Sequence, residues 1–196
     1  ASEQAVVVES EIYKEVKKEF INQGCYFVNE EEKLKMEKII DTPYGSLNAK
    51  IVGKTASQLA DMAKIEVPED TKIIIAEETG VGKGYPFSRE KLSPILAFYV
   101  EDDWKKGCDK CIELLDYGGM GHTLGIHSND KDIIMEFALR KPASRIIVNS
   151  PTTHGAIGAT TNLAPALTLG CGAVGGSATS DNVSPMNLIN IRRLAY

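Results

Sequence analysis

The sequence predicts an α/β protein with three layers, helix–sheet–helix, around a mostly parallel sheet. Three observations carry this. Apolar runs such as Val6-Val-Val8, Ile73-Ile-Ile75 and Ile95-Leu-Ala-Phe98 are continuous rather than alternating, as strands covered on both faces are. Segments with helical spacing of apolar residues stand between these runs. Strand and helix signals alternate along the chain, which is the pattern of a parallel sheet with crossover helices.

The elements follow in order. Ala5–Val8 reads as a buried strand, and Ile12, Val16 and Phe20 mark one face of a helix. Cys25–Val28 is a short strand. Glu30–Ile40 is a charged helix with Leu34 and Ile39 expected inward. Pro43 and Gly45 make a turn, and Ile51-Val52 is expected as a short strand. Thr55–Lys64 is helical, with Ala56, Leu59, Ala60 and Ala63 on one side. Lys72–Ala76 and Ile95–Val100 are buried strands flanking a loop over Gly80–Phe87. Asp102 or Asp103 caps a helix striped by Trp104, Cys108, Cys111, Ile112 and Leu115, and Gly118-Gly119 end it. His122–His127 is a strand. Ser128-Asn129 is expected to cap a helix with Ile133, Ile134, Phe137 and Ala138 inward, which Pro142 stops. Arg145–Val148 is the last core strand, and Leu188–Leu194 reads as an edge or arm strand. The expected organisation is one α/β domain over residues 1–186 and a C-terminal arm over 187–196.

The chain has 196 residues, 43% hydrophobic and 25% charged, enough for a real core. A net charge of −5 argues against nucleic acid as a partner. No apolar run approaches the length of a membrane span, so no membrane partner is expected. Four dispersed cysteines suggest no disulfide framework and point to a reducing, cytoplasmic setting. Ala1–Ala5 runs at once into an apolar strand without methionine or leader, so the chain reads as a piece of a longer polypeptide.

The tail, Ser150 to Val183, carries almost no charge and is dense in glycine, yet it holds Leu163, Leu167, Leu169 and Val174. Such a loop packs, and its glycines let backbone approach a ligand or a partner domain closely. Cys108-x-x-Cys111 lacks a second ligand pair, so no metal site is expected and both thiols are read as helix packing. Cys171 lies between Gly170 and Gly172, accessible but with no basic neighbour to activate it, and packing is favoured over nucleophilic chemistry. His122, in Gly118-Gly-Met-Gly-His-Thr123, is either a general acid/base at a strand mouth or a polar residue bonding backbone there. His127 and His154 are weaker candidates. Glu90, in Ser88-Arg-Glu-Lys-Leu-Ser-Pro94, either holds a sugar diol or belongs to a solvated charged run, the commoner case. No phosphate-cradling glycine motif opens a helix after an early strand, so a complete nucleotide site is not expected in this chain.

Taken together, Ala1-Ser-Glu-Gln4, Glu90-Lys-Leu-Ser-Pro94, Gly118–Thr123, Arg145–Asn149, Leu163-Ala-Pro-Ala-Leu-Thr-Leu-Gly-Cys-Gly172 and Asn187–Asn190 resemble the CoA-acylating aldehyde dehydrogenases. The nearest branch is the aldehyde half of bifunctional aldehyde-alcohol dehydrogenases and their acetaldehyde or succinate-semialdehyde relatives. The resemblance implies a catalytic-domain fragment without its N-terminal dinucleotide-binding domain. The nucleophilic cysteine is then expected immediately before Ala1, and the fragment alone is expected to be inactive. By the same resemblance Glu90 binds the nicotinamide ribose of NAD and Leu92 lies beside the cofactor. His122 assists acyl transfer to coenzyme A, the co-substrate. Thr152 and Thr153 stand near the entrance of the aldehyde and acyl pocket. The partners implied are a small aldehyde or acyl-CoA, the N-terminal domain of the same enzyme, and further copies of the chain in a homo-oligomer joined through the terminal strand. A cytoplasmic location is expected, with a bacterial microcompartment left open. A second reading needs no catalysis: a self-contained α/β binding or assembly module that uses the loop and terminal strand for contacts.

Overall fold

The computed structural model describes residues 3–196, which form two compact units, one running to Gly118 and one from Gly119 to Tyr196. The segment Ala1-Ser2 and the cysteine position expected before it lie outside the described residues.

The first unit is built on four parallel strands: β1 (Ala5–Glu9), β2 (Cys25–Phe27), β3 (Ile73–Glu77) and β4 (Ile95–Glu101), in the order β1-β4-β3-β2. Ala5 pairs with Ala97, and Ala97 with Ala76, across the centre. Helices α1 (Tyr13–Asn22), α2 (Glu30–Ile40), α3 (Ala56–Ala63) and α4 (Trp104–Gly118) connect and cover the strands. Successive side chains on a strand face opposite ways, so each central strand feeds two cores. Ile74, Ala76, Ile95, Ala97 and Tyr99 join Met36 and Ile40 of α2 and Leu59 of α3 in one cluster. Ile75, Leu96 and Phe98 join Val16 and Phe20 of α1 in the other. Phe98 takes three aromatic neighbours edge-on, with ring centroids 6.1 Å from Tyr13, 5.9 Å from Phe20 and 5.5 Å from Phe27. This is the expected three-layer arrangement.

Helix ends are set by local chemistry. Asn29 and Glu32 form a reciprocal capping box at α2, whose first turn carries Glu30, Glu31 and Glu32 where the helix dipole favours anions. Thr55 and Gln58 do the same for α3. Asp103, rather than Asp102, accepts from the backbone N–H of Lys105 and Lys106 at the start of α4. Two expectations for this unit are corrected. Leu34 is 57% exposed, while Met36 and Ile40 carry the buried stripe, because the cap at Asn29 fixes the phase of α2. Residues Ala49–Ile51 form a 3-10 turn rather than a strand, since the Asn48 carboxamide accepts from Lys50 N and tightens the backbone.

The second unit contains the parallel pair β5 (Gly121–Ile126) and β6 (Ala143–Val148), joined by α5 (Lys131–Arg140). Asp130 caps α5 with hydrogen bonds from Asp132 and Ile133 N; Ser128 instead accepts from Asp130 N, which corrects the expected cap. Phe137 is the buried residue of α5 and Ala138 is exposed. The tail opens with a short helix, α6 (Thr152–Ala156), and later makes 3-10 turns over Ala173–Gly175 and Pro185–Leu188. Leu188 therefore belongs to a turn, where Ser184 and Asn187 form a capping box. Residues 189–196 form no strand with other described residues. No helix is long and apolar enough to cross a membrane among the described residues.

Candidate active site

The loop before β4 holds Glu90 and Leu92 outward and Lys91 inward. Glu90 is exposed, Leu92 is 47% exposed, and Lys91 between them is 0% exposed. Each flank is tied down. The Arg89 guanidinium pairs with Asp41 and donates to Gly45 O at 3.2 Å. Lys91 Nζ donates to the carbonyls of Gln4 (2.9 Å), Phe87 (2.6 Å) and Arg89 (2.7 Å). Lys91 N donates to the Gln4 side-chain oxygen at 2.7 Å, and Gly53 N donates to Leu92 O at 3.0 Å. Leu92 sits at φ 52°, a left-handed conformation that is costly for a side-chain-bearing residue. Burial pushes the Lys91 ammonium down to about 7, against the opposing pull of Glu90.

His122 follows directly on a crowded glycine. Gly121 has φ 76°, and a Cβ there would lie 2.0 Å from Cys171 O. Gly175 is also confined, with a Cβ falling 2.6 Å from both Cys171 Sγ and Met120 O. The turn Cys171–Gly175 thus closes against the backbone that carries His122, and only glycine permits the approach. His122 N donates to Gly119 O at 3.0 Å and its side chain is exposed at the start of β5. Cys171 Sγ donates to Gly175 O at 3.2 Å, closing its own turn.

The tail packs back on this pair of strands. Asn149, at φ 51°, clamps Ser128 by exchanging two hydrogen bonds through its carboxamide. Thr152 is buried and rests its methyl where Gly125 has no side chain, while Thr153 is half-buried. Thr152 therefore stands over the later part of β5 and His122 at its beginning, three residues or roughly 10 Å apart along the strand. Beyond α6, Ile157, Pro165 and Leu167 help line an open, mainly apolar depression of about 490 Å³. His127 and His154 are exposed. Among the described residues no group of three or more His, Cys, Asp or Glu could hold a metal ion.

Three organising residues escape sequence reasoning. Lys91 sits inside what reads as a solvated charged run. Arg145 is 4% exposed and donates from Nε to Asn182 Oδ1 and from Nη1 and Nη2 to the carbonyls of Gly170, Ser180 and Asp181. Asn182 then donates to Ala156 O and Ala164 O. A signal for Arg145 does exist: a cation opening an apolar strand, ahead of a tail nearly free of carboxylates, must find carbonyls instead.

No family model matches the chain. It is 43% identical over 204 residues to aldehyde-alcohol dehydrogenase 2 of Entamoeba histolytica, a match that covers 100% of this chain and 23% of that protein. It is 34% identical over 198 residues to the acetylating succinate-semialdehyde dehydrogenase of Clostridium kluyveri, covering 100% of this chain and 43% of that protein. The crystal structure of an acetylating aldehyde dehydrogenase from Geobacillus thermoglucosidasius superposes with a TM-score of 0.95 at 54% identity, covering 100% of this chain and 43% of that one. Over its whole length the chain is similar to one part of the acylating aldehyde dehydrogenases. It spans about a quarter of the length of the aldehyde-alcohol dehydrogenases it matches.

Proposed function

We propose that this chain is the catalytic-domain part of a CoA-acylating aldehyde dehydrogenase, interconverting a short-chain aldehyde, coenzyme A and NAD+ with acyl-CoA and NADH. The observation that carries the reading is the end-to-end match to an acetylating aldehyde dehydrogenase at 54% identity and TM-score 0.95. The reading extends to a longer enzyme that contributes a dinucleotide-binding domain and, directly before Ala1, the nucleophilic cysteine.

The loop Glu90–Leu92 fits a dinucleotide: an exposed carboxylate and an exposed apolar side chain flank a buried lysine that ties down the backbone. NAD+ bound there supplies the hydride acceptor. Glu90 would hold the nicotinamide ribose, and Leu92 would lie beside the cofactor. The cysteine thiolate adds to the aldehyde, and loss of hydride leaves an enzyme thioester. Coenzyme A then takes the acyl group, with His122 accepting its thiol proton or assisting departure of the enzyme thiol. The tail after Asn149 lines the aldehyde and acyl pocket, with Thr152 and Thr153 near its entrance. The terminal segment, with Leu188, Ile191 and Leu194 exposed, joins the sheet of another copy in a homo-oligomer. A cytoplasmic enzyme fits this chemistry, which needs a free thiolate.

The test is the full-length protein supplied with NAD+, coenzyme A and, in turn, acetaldehyde, propionaldehyde and succinic semialdehyde. CoA-dependent formation of NADH and of acyl-CoA is expected with at least one. Formation of neither with all three overturns the reading.

A further inference from the structure

We propose that Lys91 is a positioning residue: its ammonium, inside a cage of three backbone carbonyls, locks the loop that presents Glu90 and Leu92 to the dinucleotide. The inference rests on the proposed function and adds a residue and a proton dependence to it.

The geometry is specific to a cation. An ammonium has three N–H donors and no acceptor, and the cage offers three carbonyl acceptors at 2.6–2.9 Å from Gln4, Phe87 and Arg89. Each anchors a different stretch. Phe87 O belongs to the 3-10 turn Pro86–Ser88, and Arg89 O to the loop itself. Gln4 O also accepts from Ala97 N, so the loop is referenced directly to the sheet through the residue that leads into β1. The Gln4 side chain receives Lys91 N as well, which fixes the peptide between Glu90 and Lys91. Without the ammonium, three buried or half-buried carbonyls lose a donor, and the left-handed backbone at Leu92 loses that support from the Glu90 side.

The cage is also sensitive to protons. A neutral amine has only two N–H donors, so deprotonation releases one carbonyl. Burial lowers the pKa of Lys91 to about 7, Glu90 and Glu78 raise it, and Arg89 lowers it. Glu78 is itself paired with Lys33 at 3.0 Å, and Arg89 with Asp41. Loop order therefore declines as the pH rises through neutrality, and dinucleotide binding declines with it.

The experiment uses the full-length enzyme and two assays: NAD+-dependent aldehyde oxidation, and exchange of labelled coenzyme A into acyl-CoA, which forms and reverses the enzyme thioester without any hydride step. Lys91→Met is expected to raise KM for NAD+ by about tenfold or more while changing the exchange rate by no more than about twofold. Wild type is expected to lose NAD+ affinity from pH 6 to 9. Lys91→Arg, which stays protonated, is expected to show a flat profile. Equal losses in oxidation and exchange in Lys91→Met would make Lys91 a core residue only and overturn the proposal. Should Lys91→Met fail to fold, a flat wild-type KM profile for NAD+ overturns it alone. A wild type inactive in both assays removes the proposed function and this inference with it, whereas an active wild type with unaltered Lys91 variants removes the inference alone.

Discussion

Arg145 and Asn182 hold each other at 2.8 Å, from Nε to Oδ1, and between them their side chains reach five backbone carbonyls in a tail that has little regular structure of its own. The pair does for the tail what a ladder of backbone hydrogen bonds does for a sheet. Arg145→Met strands three of those carbonyls, of Gly170, Ser180 and Asp181, while keeping much of the volume. It is expected to destabilise the second unit by about 3–5 kcal/mol, the cost of breaking a buried charged network. Limited proteolysis should cut within residues 157–184 of the variant first, with wild type resistant under the same conditions.

Gly121 and Gly176 share a left-handed backbone, at φ 76° and 77°, but differ in their surroundings. A Cβ at Gly176 meets nothing within 4 Å, whereas one at Gly121 meets Cys171 O at 2.0 Å. Alanine at Gly176 is expected to cost about 1–2 kcal/mol from backbone strain alone. Alanine at Gly121 should cost clearly more, because a carbonyl in a tight turn must also move. Denaturant titration of the two variants separates crowding from strain, and equal losses would refute the crowding argument.

Phe98→Ala removes a fully buried ring and its three edge-on partners, Tyr13, Phe20 and Phe27. A loss of about 3–5 kcal/mol is expected in equilibrium unfolding. The same change at Tyr44, which is 96% exposed, should fall within about 0.5 kcal/mol of wild type.

Lys91 gives stability its own pH dependence. Its amine titrates at about 7 when folded, against an ordinary value of 10.5. Between these values the unfolded chain binds more protons than the folded one, so stability rises with pH across that window and levels off above it. The thermal midpoint of Lys91→Met should lack this rise relative to wild type.

His122→Ala, in the full-length enzyme, is expected to slow acyl transfer to coenzyme A by about a hundredfold or more, the range of general acid–base catalysis. Rates of aldehyde oxidation and of CoA acylation that both match wild type would remove His122 from the mechanism.

Much of the fold was legible because burial on both faces of a strand leaves a plain mark. Ile73–Ile75 and Ile95–Phe98 could be little else, and Glu30–Ile40 was delimited by its cap and its charges. Leu34 was misplaced because only the phase set at Asn29 tells which of two apolar faces turns inward. Ile51-Val52 was misread because Asn48 offers the backbone a local alternative to a strand. Glu90, Leu92 and His122 stand in motifs that single them out as candidates, but Lys91 does not. A lysine caged by carbonyls from Gln4, Phe87 and Arg89 depends on a contact across 87 residues of sequence, which no local pattern encodes. Arg145 carried a signal, a cation in an apolar strand, but its particular partners lie 25 to 37 residues away.

The backbone at Leu92 has a further consequence. Glycine or asparagine would relax that left-handed torsion at no loss to the core, since the leucine side chain is half in solvent. Leu92→Gly is thus a rare exchange that should make the molecule sturdier and its ligand grip poorer at once. Selection for thermal tolerance alone would erode this position; on the proposed reading, the leucine trades durability for recognition.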